Sequence, residues 1–142
     1  MTQKHRIVDS RGTKNGVKVT DYGQLVTGDI DYSTPVAKTL TAINTAYNFV
    51  TPIRGKKIVI TAMLLYANKG VGVNDATVDI YQVDAIDSLV VDTSIISTEM
   101  VKQTSRDLLG LSMIVPEGKW VNAKTDDASL FITIMYYYVP VD

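Results

Sequence analysis

Apolar and polar side chains alternate with a period of two along most of the chain beyond residue 36, a spacing that predicts strands rather than helices. The clearest run is Lys56–Ala67. Ile58, Ile60, Ala62, Leu64 and Tyr66 fall on one side of it, and Val59, Thr61, Met63 and Leu65 on the other. Both sides turn apolar in the C-terminal half, the pattern of a strand covered on both faces. Ala76–Val83 alternates cleanly, with Ala76, Val78 and Ile80 opposite Thr77, Asp79 and Tyr81. In Ser129–Tyr138, Leu130, Ile132, Ile134, Tyr136 and Tyr138 share one face, and Phe131, Thr133, Met135 and Tyr137 the other. Further strands are expected at Val36–Leu40, Ala46–Val50, Thr93–Thr104, Asp107–Val115 and Lys119–Lys124.

Turn residues punctuate these runs. Pro52 and Gly55, the polar stretch Asn68–Asp75, the acidic and irregular Asp84–Asp92, Pro116-Glu117-Gly118 and Thr125-Asp126-Asp127 each separate two of them. Short strands at such spacing imply an antiparallel β-sandwich or barrel, because an isolated sheet must bury a face. No unit of 20–50 residues recurs, which excludes a solenoid or propeller. Composition agrees with an all-β chain: 18 Val, 13 Ile and 16 Thr outweigh 9 Ala, 9 Leu and 2 Glu. Residues 1–30 read differently, as an extended N-terminal arm and a short hairpin, Val17–Thr20 and Gln24–Thr27, around Asp21-Tyr22-Gly23. The sandwich body is expected over residues 31–142.

Charge sharpens that division. Lys4, Arg6, Arg11, Lys14 and Lys18 face only Asp9 within residues 1–20, a balance of +4, while the rest of the chain carries -5. A basic arm on an acidic body suits an acidic protein surface or a polyanion, or is a solvated terminus, whereas the near-neutral total argues against a nucleic-acid module. The chain has no cysteine, so disulfides, thiolate metal sites and a cysteine nucleophile are excluded together. No apolar run reaches signal-peptide or membrane-span length, and a protein made and folded in a cytoplasm is expected, without a membrane partner.

Catalytic chemistry finds little support. His5 is the only histidine and lies in the arm, which leaves no base for a serine nucleophile and no imidazole cluster for a metal. Asp29 with Asp31, and Asp126 with Asp127, lack the spacing of a calcium loop. Asp79 with Glu99 or Glu117 would serve glycoside hydrolysis only if held facing each other, and no pattern favours that. Arg54-Gly55-Lys56-Lys57 is a basic turn and not a phosphate-cradling loop. The expectation is a protein without enzymatic activity and without a cofactor.

Two features point to binding. Trp120 and Tyr137 on the last two strands either fill space or, if exposed, stack on sugars or anchor an interface. If the core takes the even positions, Met63, Leu65, Phe131, Met135 and Tyr137 face outward. Large exposed apolar patches are rare on monomers, so the arm, loops or another subunit must cover these positions, and of these a homo-oligomer, a dimer or trimer, is expected.

Three stretches resemble the small jelly-roll structural proteins of tailed bacteriophages. They are the hairpin Asn15-Gly16-Val17 through Gln24-Leu25-Val26, the strand pair Gly55-Lys56-Lys57-Ile58 through Val78-Asp79-Ile80-Tyr81, and the closing hairpin Gly118-Lys119-Trp120-Val121 through Tyr136-Tyr137-Tyr138-Val139-Pro140. The resemblance implies a jelly-roll-like β-sandwich in a virion, specifically a capsid decoration (cement) protein. Its partner would be the major capsid protein or another virion protein. Lys4, Arg6, Arg11 and Lys14 would act in the arm, and Met63, Leu65, Phe131, Met135 and Tyr137 on the sheet faces. The alternative is a tail or fibre module that binds host-surface carbohydrate through Trp120 and Tyr137.

Overall fold

A computed structural model describes residues 33–68, 75–127 and 129–141. The arm, its hairpin and the basic residues Lys4, Arg6, Arg11 and Lys14 lie outside the described residues. Within them there is no helix. Nine strands form: β1 (Thr34–Leu40), β2 (Tyr47–Val50), β3 (Lys56–Ala67), β4 (Ala76–Val83), β5 (Thr93–Met100), β6 (Ser105–Leu108), β7 (Met113–Val115), β8 (Trp120–Thr125) and β9 (Leu130–Pro140). The two strongest period-two runs, Lys56–Ala67 and Ala76–Val83, are strands with those bounds.

The strands make two antiparallel sheets. Sheet one has the order β1-β9-β3-β6, with β7 also on the free edge of β3; sheet two has the order β2-β8-β4-β5. The pairings nest: β4 with β5, β3 with β6 and β7, β2 with β8, and β1 with β9. One long antiparallel ribbon is thus folded over on itself, and β3–β9 and β4–β8 contacts complete the sheets. Each sheet buries one face against the other. Ile58, Ile60, Leu130, Ile132 and Ile134 from sheet one meet Val50, Val78, Ile80, Val121 and Ala123 from sheet two in a single core cluster. Each valine, leucine or isoleucine among them contributes about 1.5–3 kcal/mol on burial.

Two differences from the sequence reading have local causes. The expected strand Asp107–Val115 is two strands, β6 and β7, because residues 109–112 leave the ladder around Gly110, whose φ is 65°. More consequential is β3. Its register against β9 shifts between Ile60 and Ala62, a β-bulge with Thr61 as the extra residue. Ile58 and Ile60 point into the core; beyond the bulge the phase flips, so Met63, Leu65 and Ala67 point in. The bulge is fixed on both flanks. The Thr61 carbonyl accepts Leu111 N–H at 2.8 Å, while its hydroxyl donates to the Met135 carbonyl at 3.2 Å and meets the Ser33 hydroxyl at 2.9 Å.

The tight turns follow their residues. Lys119 N–H reaches the Pro116 carbonyl at 3.3 Å, with Gly118 at φ 83° in the left-handed region that this turn needs and that suits glycine. At the far end of β9, Tyr136 and Tyr138 meet edge-on with ring centroids 5.5 Å apart, and the Tyr138 hydroxyl donates to the Thr51 carbonyl at 2.6 Å. Burial pushes the Tyr138 phenol above its ordinary pKa, and neighbouring Tyr136 adds to the effect.

Candidate interaction surfaces

Because strand side chains alternate, each core residue of sheet one leaves a neighbour on the outer face. On β3 these are Val59, Ala62, Leu64 and Tyr66; on β9 they are Phe131, Thr133, Met135, Tyr137 and Val139. The two strands oppose Val59 to Tyr137, Ala62 to Met135, Leu64 to Thr133 and Tyr66 to Phe131. Val59 and Ala62 are buried within this stripe, and charges border it: exposed Asp107 on β6 stands beside Leu64, and Lys57 opposite Val139. At one end Tyr66 and Phe131, each 40% exposed, stack with centroids 6.0 Å apart and planes 23° from parallel. At the other end an open groove of about 560 Å³ is lined by Val59, Ile114, Tyr137, Val139 and Pro140, with Lys57 and Ser112 on its rim.

The sequence-predicted face residues therefore separate. Phe131, Met135 and Tyr137 lie on the outer face, Phe131 exposed and the other two half-buried. Met63 and Leu65 do not: both are wholly buried between the sheets. The Thr61 bulge is the reason, since uninterrupted alternation from Ile58 would have turned them outward. Tyr66, expected among the inward positions, takes the outer place instead.

The outer side of sheet two is built differently. Residues 84–92, between β4 and β5, fold back across it and are held at several points. Asn48 on β2 donates its amide to Asp87 Oδ1 at 2.5 Å and accepts Asp87 N–H at 3.1 Å. The Tyr81 hydroxyl donates to the Ser88 carbonyl at 2.6 Å, and Lys124 Nζ donates to the Leu89 carbonyl at 3.0 Å. Lys119 bridges both ends of the segment, 2.6 Å from Asp84 and 2.7 Å from Asp92. Its ammonium holds the Asp84 carboxyl below the usual aspartate range, and the two carboxylates raise Lys119 in turn. Asp87 sits in the left-handed region at φ 58°, which a short polar side chain tolerates.

What this strap covers is polar and aromatic; what it shows to solvent is apolar. Tyr81 and Asn122 are fully buried beneath it, and neither amide atom of Asn122 has a hydrogen-bond partner. Burial raises the Tyr81 phenol above its ordinary pKa; the Asn122 amide facing it offsets part of that rise without completing a bond. Outward point Ile86, Leu89, Val90 and Val91, with Val90 66% exposed. Four large apolar side chains within six residues, on a segment pinned to the sheet, make a preformed contact surface. In the sequence the segment is acidic and irregular, and the signal of this surface is Ile86 and Leu89-Val90-Val91 among the aspartates.

Trp120 and Tyr137 do not come together. Trp120 starts β8 in sheet two and alternates outward from core residues Val121 and Ala123, whereas Tyr137 lies on the outer face of sheet one. The core separates them, so they cannot form one sugar-stacking platform. Asp79 accepts the Ser97 hydroxyl at 2.5 Å, and Glu117 accepts Gly55 N–H at 2.5 Å on another part of the molecule. Asp79 also lines a shallow polar hollow of about 290 Å³ with Asn44, Thr77, Lys124 and Asp126. Among the described residues no three His, Cys, Asp or Glu gather as metal ligands, and no helix is long and apolar enough to cross a membrane. The geometry thus offers two apolar contact surfaces on opposite sides of one sandwich; no family model, curated protein or solved structure matches the chain.

Proposed function

We propose that the protein is a structural component of a bacteriophage virion, a capsid decoration protein of jelly-roll type that clamps neighbouring shell subunits and has no catalytic role. The observation that carries this reading is the pair of outward apolar surfaces on one rigid scaffold, the stripe on sheet one and the strap on sheet two. A clamp needs two attachment surfaces that do not deform relative to each other, and close-packed sheets supply that stiffness. The nested strand order β1-β9-β3-β6 against β2-β8-β4-β5 supports the jelly-roll assignment, which folds one eight-stranded ribbon into two sheets. Here β6 and β7 together act as one interrupted strand on the edge of β3.

In this reading the strap, through Ile86, Leu89 and Val90, seats on the shell protein. The basic residues Lys4, Arg6, Arg11 and Lys14 add attraction to an acidic partner surface, a term that salt screens. Co-sedimentation with expanded capsids tests it. The triple variant Ile86→Lys, Leu89→Lys, Val90→Lys is expected to lose capsid binding at least tenfold while its circular dichroism stays native. Deletion of residues 2–16 is expected to weaken binding, most clearly at low salt. Native binding by the triple variant, or specific retention of the protein on a glycan array with none on capsids, would overturn the assignment.

A further inference from the structure

Residues 84–92 are fastened to sheet two without an apolar anchor. Every side chain in the segment is exposed except that of Ser88, which is half-buried, so none of Ile86, Leu89, Val90 or Val91 enters the core. The attachments are polar and fall into two groups. At the base, Lys119 bridges Asp84 and Asp92, and Asp92 N–H donates to the Gln82 carbonyl at 3.1 Å. At the tip, Asp87 is tied to Asn48, the Ser88 carbonyl to Tyr81 and the Leu89 carbonyl to Lys124. A segment held by hydrogen bonds open to water, with few buried apolar contacts, opens locally without global unfolding.

The floor beneath the tip is polar as well. Strand register sets Asn48 of β2, Asn122 of β8 and Tyr81 of β4 in one row across the sheet. The tip is held to both ends of that row, at Asn48 by Asp87 and at Tyr81 by Ser88. Asn122 lies between the two fastenings, fully buried, with both amide atoms unpaired. Closing the tip strips water from that amide and gives it no partner; lifting the tip lets the water return. A penalty of this kind shifts an opening equilibrium roughly five- to a hundredfold.

From the polar fastenings and the unpaired amide beneath them we infer that residues 85–91 form a hinged flap. It lifts as one unit from Asn48, Tyr81 and Lys124 while Lys119 holds its base, and Asn122 favours the lifted state. Closed, the flap shows Ile86, Leu89 and Val90 at fixed spacing; lifted, it does not. The consequence for binding rests on the assembly reading above: the closed flap is the form that meets shell protein, and its share of the population scales the apparent affinity.

Amide exchange on the isolated protein, read residue by residue by NMR, tests the flap. The Asp87 amide, bonded to Asn48 Oδ1 at 3.1 Å, reports the tip, and the Asp92 amide reports the base. In urea below the unfolding transition, Asp87 exchange is expected to stay level, because lifting the tip exposes little surface, while the amides of β3 and β9 exchange faster. Tyr81→Phe removes the fastening at Ser88 and leaves the bond that protects Asp87, yet it should lower Asp87 protection about fivefold. Asp92 protection should not change. Asn122→Val should raise Asp87 protection at least fivefold. The urea series needs no variant, so it stands even if a substitution folds poorly. An Asp87 amide that follows β3 and β9 in urea, or that neither substitution moves, would overturn the flap. Capsid co-sedimentation is read separately, so a static tip on a protein that still decorates shells rejects the flap and spares the functional assignment.

Discussion

At the scale of single residues, Asn122 is the least satisfied side chain among the described residues. Its side chain is fully buried on β8 beneath residues 84–92, beside Tyr81, with both amide atoms unpaired. A buried polar group without a partner costs about 1–3 kcal/mol, and valine suits a central strand better than asparagine. Asn122→Val is therefore expected to stabilise the protein by about 1 kcal/mol, raising the denaturant midpoint without changing the slope. A lower midpoint would show that the amide is satisfied in solution. Tyr81, like Tyr138, contributes to the loss of stability at alkaline pH. Its folded pKa is raised by burial, so between the unfolded value near 10 and the higher folded one the unfolded state loses the proton first. Its stabilising contribution, complete below about pH 10, declines above it. Tyr81→Phe should flatten that decline in urea melts, while its lost bond to the Ser88 carbonyl costs about 1 kcal/mol at neutral pH.

At the scale of elements, the bulge in β3 and the strap on sheet two decide which apolar residues are buried and which are shown. Without Thr61, Ile58, Ile60, Met63 and Leu65 would alternate regularly on one face, so the extra residue reconciles even positions before it with odd positions after it. Deleting Thr61 should thus leave a folded but less stable protein. Deleting Leu64 should abolish folding, because Leu65 would turn outward and Tyr66 inward. Proton-exchange protection and a thermal melt distinguish these outcomes, and equal behaviour of the two deletions would contradict the parity argument. The strap carries its own pH response. Asp84 is held below its ordinary pKa by Lys119, so its contribution is present above the unfolded value near 4 and lost as pH falls through the lower folded value. Exposed and salt-screened, this contribution acts locally. Amide protection factors at residues 86–91, corrected for the intrinsic exchange rate, should fall below pH 4 while those of β3 and β9 do not.

Legibility in the sequence stops at these same elements. Lys56–Ala67 and Ala76–Val83 are readable because period-two alternation and bounding turn residues agree. The phase flip inside β3 is not, since both of its faces are apolar and alternation alone does not place a bulge. The break between β6 and β7 left only Gly110 as a trace. Exposure of Ile86, Leu89, Val90 and Val91 depended on bonds from Asn48, Tyr81 and Lys124, all distant in sequence or carried by side chains whose direction composition does not give.

For the whole molecule, these pieces describe a stiff two-sheet scaffold whose opposite outer sides present apolar side chains on restrained backbone. One side is a sheet face with an exposed aromatic pair and a groove; the other is a strap fastened by an ion-pair bridge and side-chain bonds. Residues 1–20, with their +4 balance, are expected to add a salt-dependent attraction to an acidic partner. The most direct test is an electron-microscopy map of the virion that carries this chain. The account predicts density for the protein on the outside of the head, with Ile86, Leu89 and Val90 against shell protein and covered from solvent. A map in which those side chains face water, or in which the protein is absent from the particle, would contradict it.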